Sequence, residues 1–224
     1  MANILAPAGF KHLGYMEGYA PTFGLRRRKI ALGNTHAIFR GDPVISLATG
    51  YIDQISANNI QLNGVFQGCE YFSVSQQRKV RSPYWPGSDA QFDVDAFVLD
   101  ADGSLWLGQS NGAPITIANV DNNVGVFIAL GGSISPTPGS GQGNTVNGIS
   151  GALIDVAGTN TGGSGAINTT STLPFRIYSL YSDYVAQQAP VAGSTSFQGA
   201  DNTTNFNFAV LTANNWDSKA LTGI

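Results

Sequence analysis

The side chains of this 224-residue chain that could take part in catalysis are few and far apart. The two histidines, His12 and His36, both fall within the first 40 residues, and no serine or cysteine beside them has a nucleophile-elbow pattern. The single cysteine, Cys69, stands close to Tyr71 and Phe72, where we expect a small buried apolar side chain. One cysteine also excludes an intrachain disulfide and disfavours a structural zinc site. We therefore expect no catalytic triad, no metal centre and no cofactor.

Two groups of carboxylates have spacings that are known from functional sites. The tract Asp100–Gly103 is similar to the start of a calcium loop, but it lacks the third ligand before the glycine and the later glutamate. Asp93 and Asp95 suggest a glycosidase carboxylate pair, yet residues two apart on an exposed strand face are more often simply solvated. The glycine-rich tract 139–165 is not followed by Lys-Ser or Lys-Thr, so it does not predict a phosphate loop. We expect a protein that is not an enzyme.

The elements that would position these residues are short strands. From residue 92 to residue 98 the even-numbered residues are apolar and Asp93 and Asp95 alternate with them, which is typical of a half-buried strand. The tract Asp100–Gly103 then predicts a tight turn, and Ser104–Leu107 predicts the returning strand of a hairpin.

Similar patterns recur along the chain. Asn63-Gly64 is a strong hairpin signal. Further strands are predicted at 44–48, 51–52, 60–62, 65–66, 115–117, 124–130, 151–156, 173–181 and 205–211. No amphipathic helical period persists for more than about two turns, so the predicted fold class is all-β.

We divide the chain into four parts. Residues 1–36 are predicted to be an extended N-terminal arm, because glycines and prolines alternate with aromatic residues there. Residues 37–130 form the main β body. Residues 131–172 form an insertion, rich in Gly, Ser, Thr and Asn, that is a long loop with β structure. Residues 173–224 supply C-terminal strands that complete the fold.

The charge distribution favours a binding role over a catalytic one. Charged residues make up 11% of the chain, against roughly 25% in an ordinary soluble domain, which is typical of proteins packed in an assembly or placed outside the cell. Residues 1–40 carry six basic residues and one acidic residue, whereas the rest of the chain is acidic. A basic arm ahead of an acidic body can dock onto an acidic partner. The arm lacks the density of basic and aromatic residues expected for nucleic-acid binding, so nucleic acid is not an expected partner.

We find neither a signal-peptide pattern nor the ~18 consecutive apolar residues of a membrane helix. A membrane is therefore not an expected partner either.

The tract Pro83–Gly87 is predicted to be a rigid loop, because two prolines remove backbone donors. It presents Tyr84 and Trp85. These rings either fold back over the end of the body or lie in an interface, where aromatic anchors are enriched.

Several tracts resemble virion structural proteins of tailed bacteriophages, and the class that they resemble is the head decoration, or cement, proteins. The tracts are 6–10 with the Tyr/Gly/Pro run after it, 39–44, 63–71, 84–87 and 220–224. The resemblance is thin over 131–172. It implies a β-barrel or jelly-roll-like body, made in the host cytoplasm, that sits on the outer surface of the capsid. It also implies a homo-oligomer, dimer or trimer, that bridges neighbouring major capsid proteins.

On this resemblance we expect two sets of contact residues. Capsid contacts are expected at Phe10, Tyr15, Tyr19, Phe23, Arg26, Arg27, Arg28 and Lys29. Tyr84 and Trp85 are expected near an oligomer interface. The alternative function is that of a carbohydrate-binding β-sandwich module of a phage fibre or adhesin, in which Trp and Tyr stack on sugars. A glycosidase-like enzyme is a third and weaker hypothesis.

Overall fold

The computed structural model describes residues 7–16, 24–55, 62–128, 143–156, 167, 173–181 and 207–214. Within these residues the chain forms twelve strands and one short 3-10 helix, and the strands belong to two antiparallel sheets. The all-β prediction is confirmed. The finer expectation of a barrel or jelly-roll-like body stays a prediction. No helix in the described part of the chain is long and apolar enough to cross a membrane.

Sheet 1 contains six strands, which lie in the order β1-β8-β12-β11-β9-β10. Their bounds are β1 Lys11–Tyr15, β8 Ser104–Gln109, β12 Phe208–Ala213, β11 Phe175–Leu180, β9 Asn123–Phe127 and β10 Leu153–Asp155. The C-terminal strands β11 and β12 therefore lie in the middle of this sheet.

Sheet 2 has the order β2-β7-β5-β3-β4, and β6 pairs with the far half of β5. The bounds are β2 Leu25–Ile30, β7 Val94–Asp100, β5 Leu62–Ser73, β3 Pro43–Ser46, β4 Ile52–Gln54 and β6 Arg78–Ser82. The long strand β5 is the centre of the sheet, because it pairs with β3 at one end, with β6 at the other and with β7 along its length.

Two apolar cores stabilise the fold, one on each face of sheet 2. Core 1 joins the two sheets and includes Leu99 of β7 and Trp106 of β8. Core 2 includes Val98, the neighbour of Leu99, together with Phe66 and Trp85. Since consecutive strand residues point to opposite faces, β7 contributes to both cores.

The predicted hairpin around the turn at residues 101–103 is wrong. Strand β7 belongs to sheet 2 and β8 to sheet 1, so the turn carries the chain from one sheet to the other. Ser104 Oγ donates to the Asp100 carbonyl at 2.7 Å and holds the turn. Strand β8 pairs with β1 and β12 in sheet 1, and its residues Leu105 and Trp106, which point to opposite faces, are both buried. Alternating hydropathy predicts a strand but does not identify its partner.

Two further local predictions are also wrong. Asn63-Gly64 lies inside the continuous strand β5, and a Cβ on Gly64 would collide with the Leu99 carbonyl, so the glycine permits close strand approach rather than a turn. The predicted strand at 115–117 is instead a loop that leads into a 3-10 helix at Ile117–Asn119. The backbone N–H and the hydroxyl of Thr116 both donate to Asn119 Oδ1, at 2.8 and 2.9 Å, which favours the tight turn.

The prediction of an extended arm over residues 1–36 is corrected for its described part. Strand β1 pairs with β8 and strand β2 pairs with β7, so both belong to the sheets of the body. The described part of the 131–172 tract also joins the body. Strand β10 pairs with β9, and Ile149 bridges to Arg40. Glycines and prolines shorten these strands, but neighbouring strands still satisfy their backbone groups.

Candidate docking surface

One end of sheet 2 carries cations on a solvent-facing row of side chains. The register aligns Lys29 of β2 with Asp95 of β7, then with Glu70 of β5, and finally with Arg81 of β6. Side chains directly opposite one another share a face of the sheet. This row therefore crosses four strands.

The neighbouring row places Arg27 opposite Phe97 and Phe97 opposite Gly68. Lys79 lies two residues before Arg81 on β6 and so shares its face. We call this surface the basic face. It consists of Arg27, Lys29, Glu70, Lys79, Arg81, Asp95 and Phe97.

Phe97 is the centre of the basic face because two guanidinium groups pack on its half-buried ring. Arg27 Cζ lies 5.7 Å and Arg81 Cζ 5.2 Å from the ring centroid. Gly68, opposite Phe97, has φ +135, and an added Cβ would lie 2.9 Å from the Ser82 carbonyl oxygen. Only glycine readily accepts this backbone conformation. Cation–π contacts thus hold both arginines in place on the surface.

Two ion pairs flank the aromatic ring. Lys29 Nζ lies 2.8 Å from Asp95 Oδ1, and Lys79 Nζ lies 3.1 Å from Glu70 Oε2. Both lysines are at least half exposed, so these pairs contribute little stability and can exchange with a partner's charges. Arg27 and Arg81 have no carboxylate partner within the described part of the chain. The basic face therefore has a net positive charge carried by its two arginines.

The run Arg26–Lys29 does not act as one block, because its side chains alternate between the two faces of β2. Arg27 and Lys29 belong to the basic face. Arg26 points to the other side and pairs with Asp100. Partial burial raises the pKa of Asp100, an effect that the positive charge of Arg26 partly offsets. Arg28 is half-buried on that same side. Half of the predicted run thus remains available as a candidate contact.

The aromatic residues predicted as capsid contacts in the N-terminal segment lie elsewhere. Phe10 is buried in core 1 and stacks on Phe175, with 4.9 Å between ring centroids. Tyr15 is partly buried, and His12 packs against it at 4.9 Å. Tyr19 and Phe23 lie outside the described residues. Phe10 is removed from the exposed candidate contacts, because only 2% of its surface is exposed and it belongs to core 1, where it forms part of the floor of the cleft described below.

The loop at Pro83–Gly87 folds back over core 2. Trp85 is fully buried, contacts Tyr71 edge-on at 5.4 Å and pairs through its backbone with Ile38. Tyr84 is half-buried and stacks on Phe39 at 5.2 Å. Trp85 is therefore corrected from a candidate interface residue to a core residue. Its burial also removes it as a ring that could stack on a sugar.

A cleft of about 730 Å³ opens beside the basic face, at the described edges of the two sheets. It begins where Leu25 of β2 lies opposite Leu99 of β7, one row before Arg27 and Phe97. Its lining residues are Ala8, Phe10, Lys11, His12, Leu25, Arg40, Gly41, Gln67, Leu99 and Ile149. Partial burial lowers the pKa of His12, an effect that a hydrogen bond to the Gly14 backbone partly offsets. Lys11 and Arg40 supply the positive charge of the cleft.

One wall of the cleft is fixed by a buried carboxylate. Asp42 accepts hydrogen bonds from the Phe39 backbone N–H at 2.7 Å, from Gln54 Nε2 at 2.8 Å and from Ser150 Oγ at 2.5 Å. Burial raises the pKa of Asp42 to about 6, although these three hydrogen bonds act in the opposite direction. Ser150 follows Ile149, so the Asp42 carboxylate anchors the loop that forms the wall.

The same loop ends in an exposed apolar tip. Asn144 Oδ1 accepts the backbone N–H groups of Val146 and Asn147 at 2.8 and 3.4 Å. The Val146 side chain is 94% exposed. This turn is suited to contact with a partner, because its hydrogen bonds already fix the backbone. Burying the Val146 side chain would therefore not carry the entropic cost of ordering the loop.

The sequence alone does not reveal that β6 and Phe97 contribute to this surface. The run Arg78–Arg81 is a second basic segment, and its alternation would have placed Lys79 and Arg81 on one face. That it lies beside Arg27 follows only from the order of β2, β7, β5 and β6. No local pattern carries this information.

The described residues form no group of three or more His, Cys, Asp or Glu side chains that could hold a metal ion. His36 Nδ1 lies 3.0 Å from Asp53 Oδ2. No serine or cysteine in the described part of the chain hydrogen-bonds to that histidine ring. Cys69 is buried, as the sequence predicts.

Comparisons of this chain with protein-family models, with curated proteins and with solved structures found no match.

Proposed function

We propose that this protein is a non-enzymatic head decoration, or cement, protein of a tailed bacteriophage. It binds the outer surface of the head and bridges neighbouring major capsid proteins. The observation that supports this proposal is the basic face, with Arg27 and Arg81 held on Phe97. Arginine and aromatic side chains are enriched at the energetic centres of protein interfaces.

The physical basis of stabilisation is mass action. A protein that binds the intact head and not the ruptured head shifts the equilibrium toward the intact state, by about 2.7 kcal/mol per site when its free concentration is 100 times Kd. The guanidinium groups already rest on a ring, so binding immobilises fewer free rotamers. The acidic surface that such a partner would offer can also accelerate encounter by electrostatic steering.

The proposed homo-oligomer needs an apolar contact, and Tyr84 and Trp85 are now poor candidates for it. Leu32 and Phe92 are better placed, with 51% and 63% of their surface exposed. Leu32 N donates to Asp93 Oδ1 at 3.0 Å. Continuing the β2–β7 register by two residues beyond Ile30 and Val94 sets Leu32 opposite Phe92.

Charge reversal on the basic face tests the proposal. Truncation of the first 35 residues is unsuitable, since it removes strands β1 and β2. The variant Arg27→Glu/Arg81→Glu should bind undecorated heads at least about tenfold more weakly than wild type and should fail to raise their rupture temperature. The matched control Arg78→Glu/Arg176→Glu carries the same charge change away from the basic face and should bind as wild type does.

Binding is measured by co-sedimentation with heads, and rupture by heating. Wild-type protein that does not bind heads would overturn the proposed function. Binding on a glycan array would then favour the carbohydrate-binding module instead.

A further inference from the structure

The cleft beside the basic face lies between two strands that each have one partner in the described part of the chain. Strand β1 pairs with β8 and strand β2 pairs with β7. Each strand is therefore at an edge of its sheet among the described strands. Edge strands are sites at which an extended segment of another protein can add to a sheet.

The lining combines apolar walls with unpaired cations. Leu25, Leu99 and Ile149 supply apolar surface. The side chains of Lys11 and Arg40 are exposed, and neither is in an ion pair with any described residue. Among the described residues that line the cleft there is no Asp or Glu. This lining is suited to a ligand that carries both carboxylate and apolar groups.

The side chains on one face of β2 have the same spacing as the alternate side chains of an extended peptide. Leu25, Arg27 and Lys29 occupy alternate positions along one face of β2, and the first lines the cleft while the other two belong to the basic face. Alternate residues of a strand stand about 6.6–6.8 Å apart. An extended peptide laid along β2 has the same spacing between its own alternate side chains. It can therefore place an apolar residue in the cleft while carboxylates face the cations on either side.

We propose that the cleft and the basic face together bind one extended acidic segment of the protein that this chain decorates. The identification of that protein as the capsid subunit rests on the proposed function. An apolar side chain of the segment packs against Leu25, the exposed member of the Leu25–Leu99 pair. Its carboxylates pair with Lys11 and Arg40 at the cleft and with Arg27 beyond it.

A random library of seven-residue peptides displayed on yeast provides the probe. Selection on the intact protein should enrich sequences with at least two Asp or Glu residues that alternate with apolar residues. Fluorescein-labelled copies of the selected peptides are then titrated by fluorescence anisotropy. Lys11→Glu/Arg40→Glu should weaken their binding by about tenfold or more, and Arg78→Glu/Arg176→Glu should leave it within about twofold. Both substituted cleft residues are exposed, so the Lys11→Glu/Arg40→Glu variant should fold as wild type does. Circular dichroism checks this.

Several outcomes would overturn the inference. These are the absence of any enriched sequence, enrichment without an excess of acidic residues, and selected peptides that bind the cleft variant as tightly as wild type. The capsid assay separates the two proposals. If wild-type protein binds heads and the cleft variant binds them equally well, the inference fails while the proposed function stands. If wild-type protein does not bind heads, the proposed function fails, and the peptide selection alone decides whether the cleft binds an acidic segment.

Discussion

Phe97 lies directly opposite Arg27 in the β2–β7 ladder, and the guanidinium carbon of Arg27 stands 5.7 Å from the centre of its ring. Arg81 approaches the same ring from β6, two strands away on the other side, at 5.2 Å. One aromatic side chain thus holds two like charges within reach of a single partner. Without the ring, the two guanidinium groups would repel each other and spread into solvent.

A double-mutant cycle between Arg81 and Phe97 measures this coupling. The single variants Arg81→Ala and Phe97→Leu and the double variant are unfolded in urea. We expect a coupling free energy of about 0.5–1 kcal/mol, because the site is exposed on one side. The cycle Arg78→Ala with Phe97→Leu is the matched control, since Arg78 lies on the same strand with its side chain on the opposite face. Equal coupling energies in the two cycles would mean that the ring does not hold Arg81.

The sequence allowed the prediction of the strands on this surface but not of their arrangement. Hydropathy alternation predicts β7 and β12 to within a few residues, because period two is a local property. It failed at the turn after Asp100, where the chain passes to the other sheet rather than forming a hairpin. The pattern of a strand that is apolar on both faces, such as β8, is compatible with the middle of either sheet. Long-range packing decides which strands it pairs with.

The sequence predicts which candidate site residues share one face of a strand, because side-chain alternation is a local property. It does not predict whether that face is covered by another segment. The basic run on β2 was identified from composition, but two of its four cations point away from the basic face. For Trp85 and Phe10 the residue type does not decide the role, because large aromatic residues occur in cores as readily as in interfaces. Burial depends on which segments fold over them. For Trp85 that segment includes Ile38, 47 positions earlier in the chain.

The buried carboxylate of Asp42 predicts a specific pH dependence of stability. Its pKa is about 6 in the folded protein against 3.8 ordinarily, so the folded state binds the proton more tightly than the unfolded state does. This group therefore lowers the free energy of unfolding as pH rises from 4 through 6, by on the order of 3 kcal/mol in total. Asp42→Asn has no titrating group there. The difference in unfolding free energy, variant minus wild type, should increase over that pH range by a similar amount, measured by urea unfolding at several pH values.

The variant Asp42→Ala is the control for the hydrogen bonds. It leaves the Phe39 N–H, Gln54 and Ser150 without their acceptor, so it should be destabilised at every pH by about 2–4 kcal/mol. Unfolding curves of wild type and Asp42→Asn that stay parallel from pH 4 to pH 7 would show that the folded carboxyl titrates normally.

The thiol of Cys69 should be inert in the folded protein. Burial raises its pKa to about 12, and the S–H group donates to the Tyr84 carbonyl at 3.4 Å. At pH 8 only about one thiol in ten thousand is then ionised, and the reagent has no access to it. Reaction with Ellman's reagent should follow the rate of unfolding and become fast in urea. The destabilised Asp42→Ala variant should react sooner than wild type. Rapid reaction of native wild-type protein would place Cys69 at the surface.

The exposed tip at Val146 allows a test of docking that leaves the fold intact. Val146 is 94% exposed and its turn is fixed by the Asn144 side chain, so Val146→Asp should change the free energy of unfolding by less than about 0.5 kcal/mol. If the tip contacts the same acidic partner as the neighbouring cleft, the new carboxylate should weaken binding to heads severalfold through repulsion and lost apolar contact.

Val74→Asp is the matched control. It is an exposed valine in the turn after β5, at the end of that strand remote from Gln67 and the cleft. A loss of head binding that is equal in the two variants would reflect their added negative charge alone, whereas a loss confined to Val146→Asp assigns the tip to the docking surface. Co-sedimentation with heads, with urea unfolding of both variants alongside, separates these outcomes.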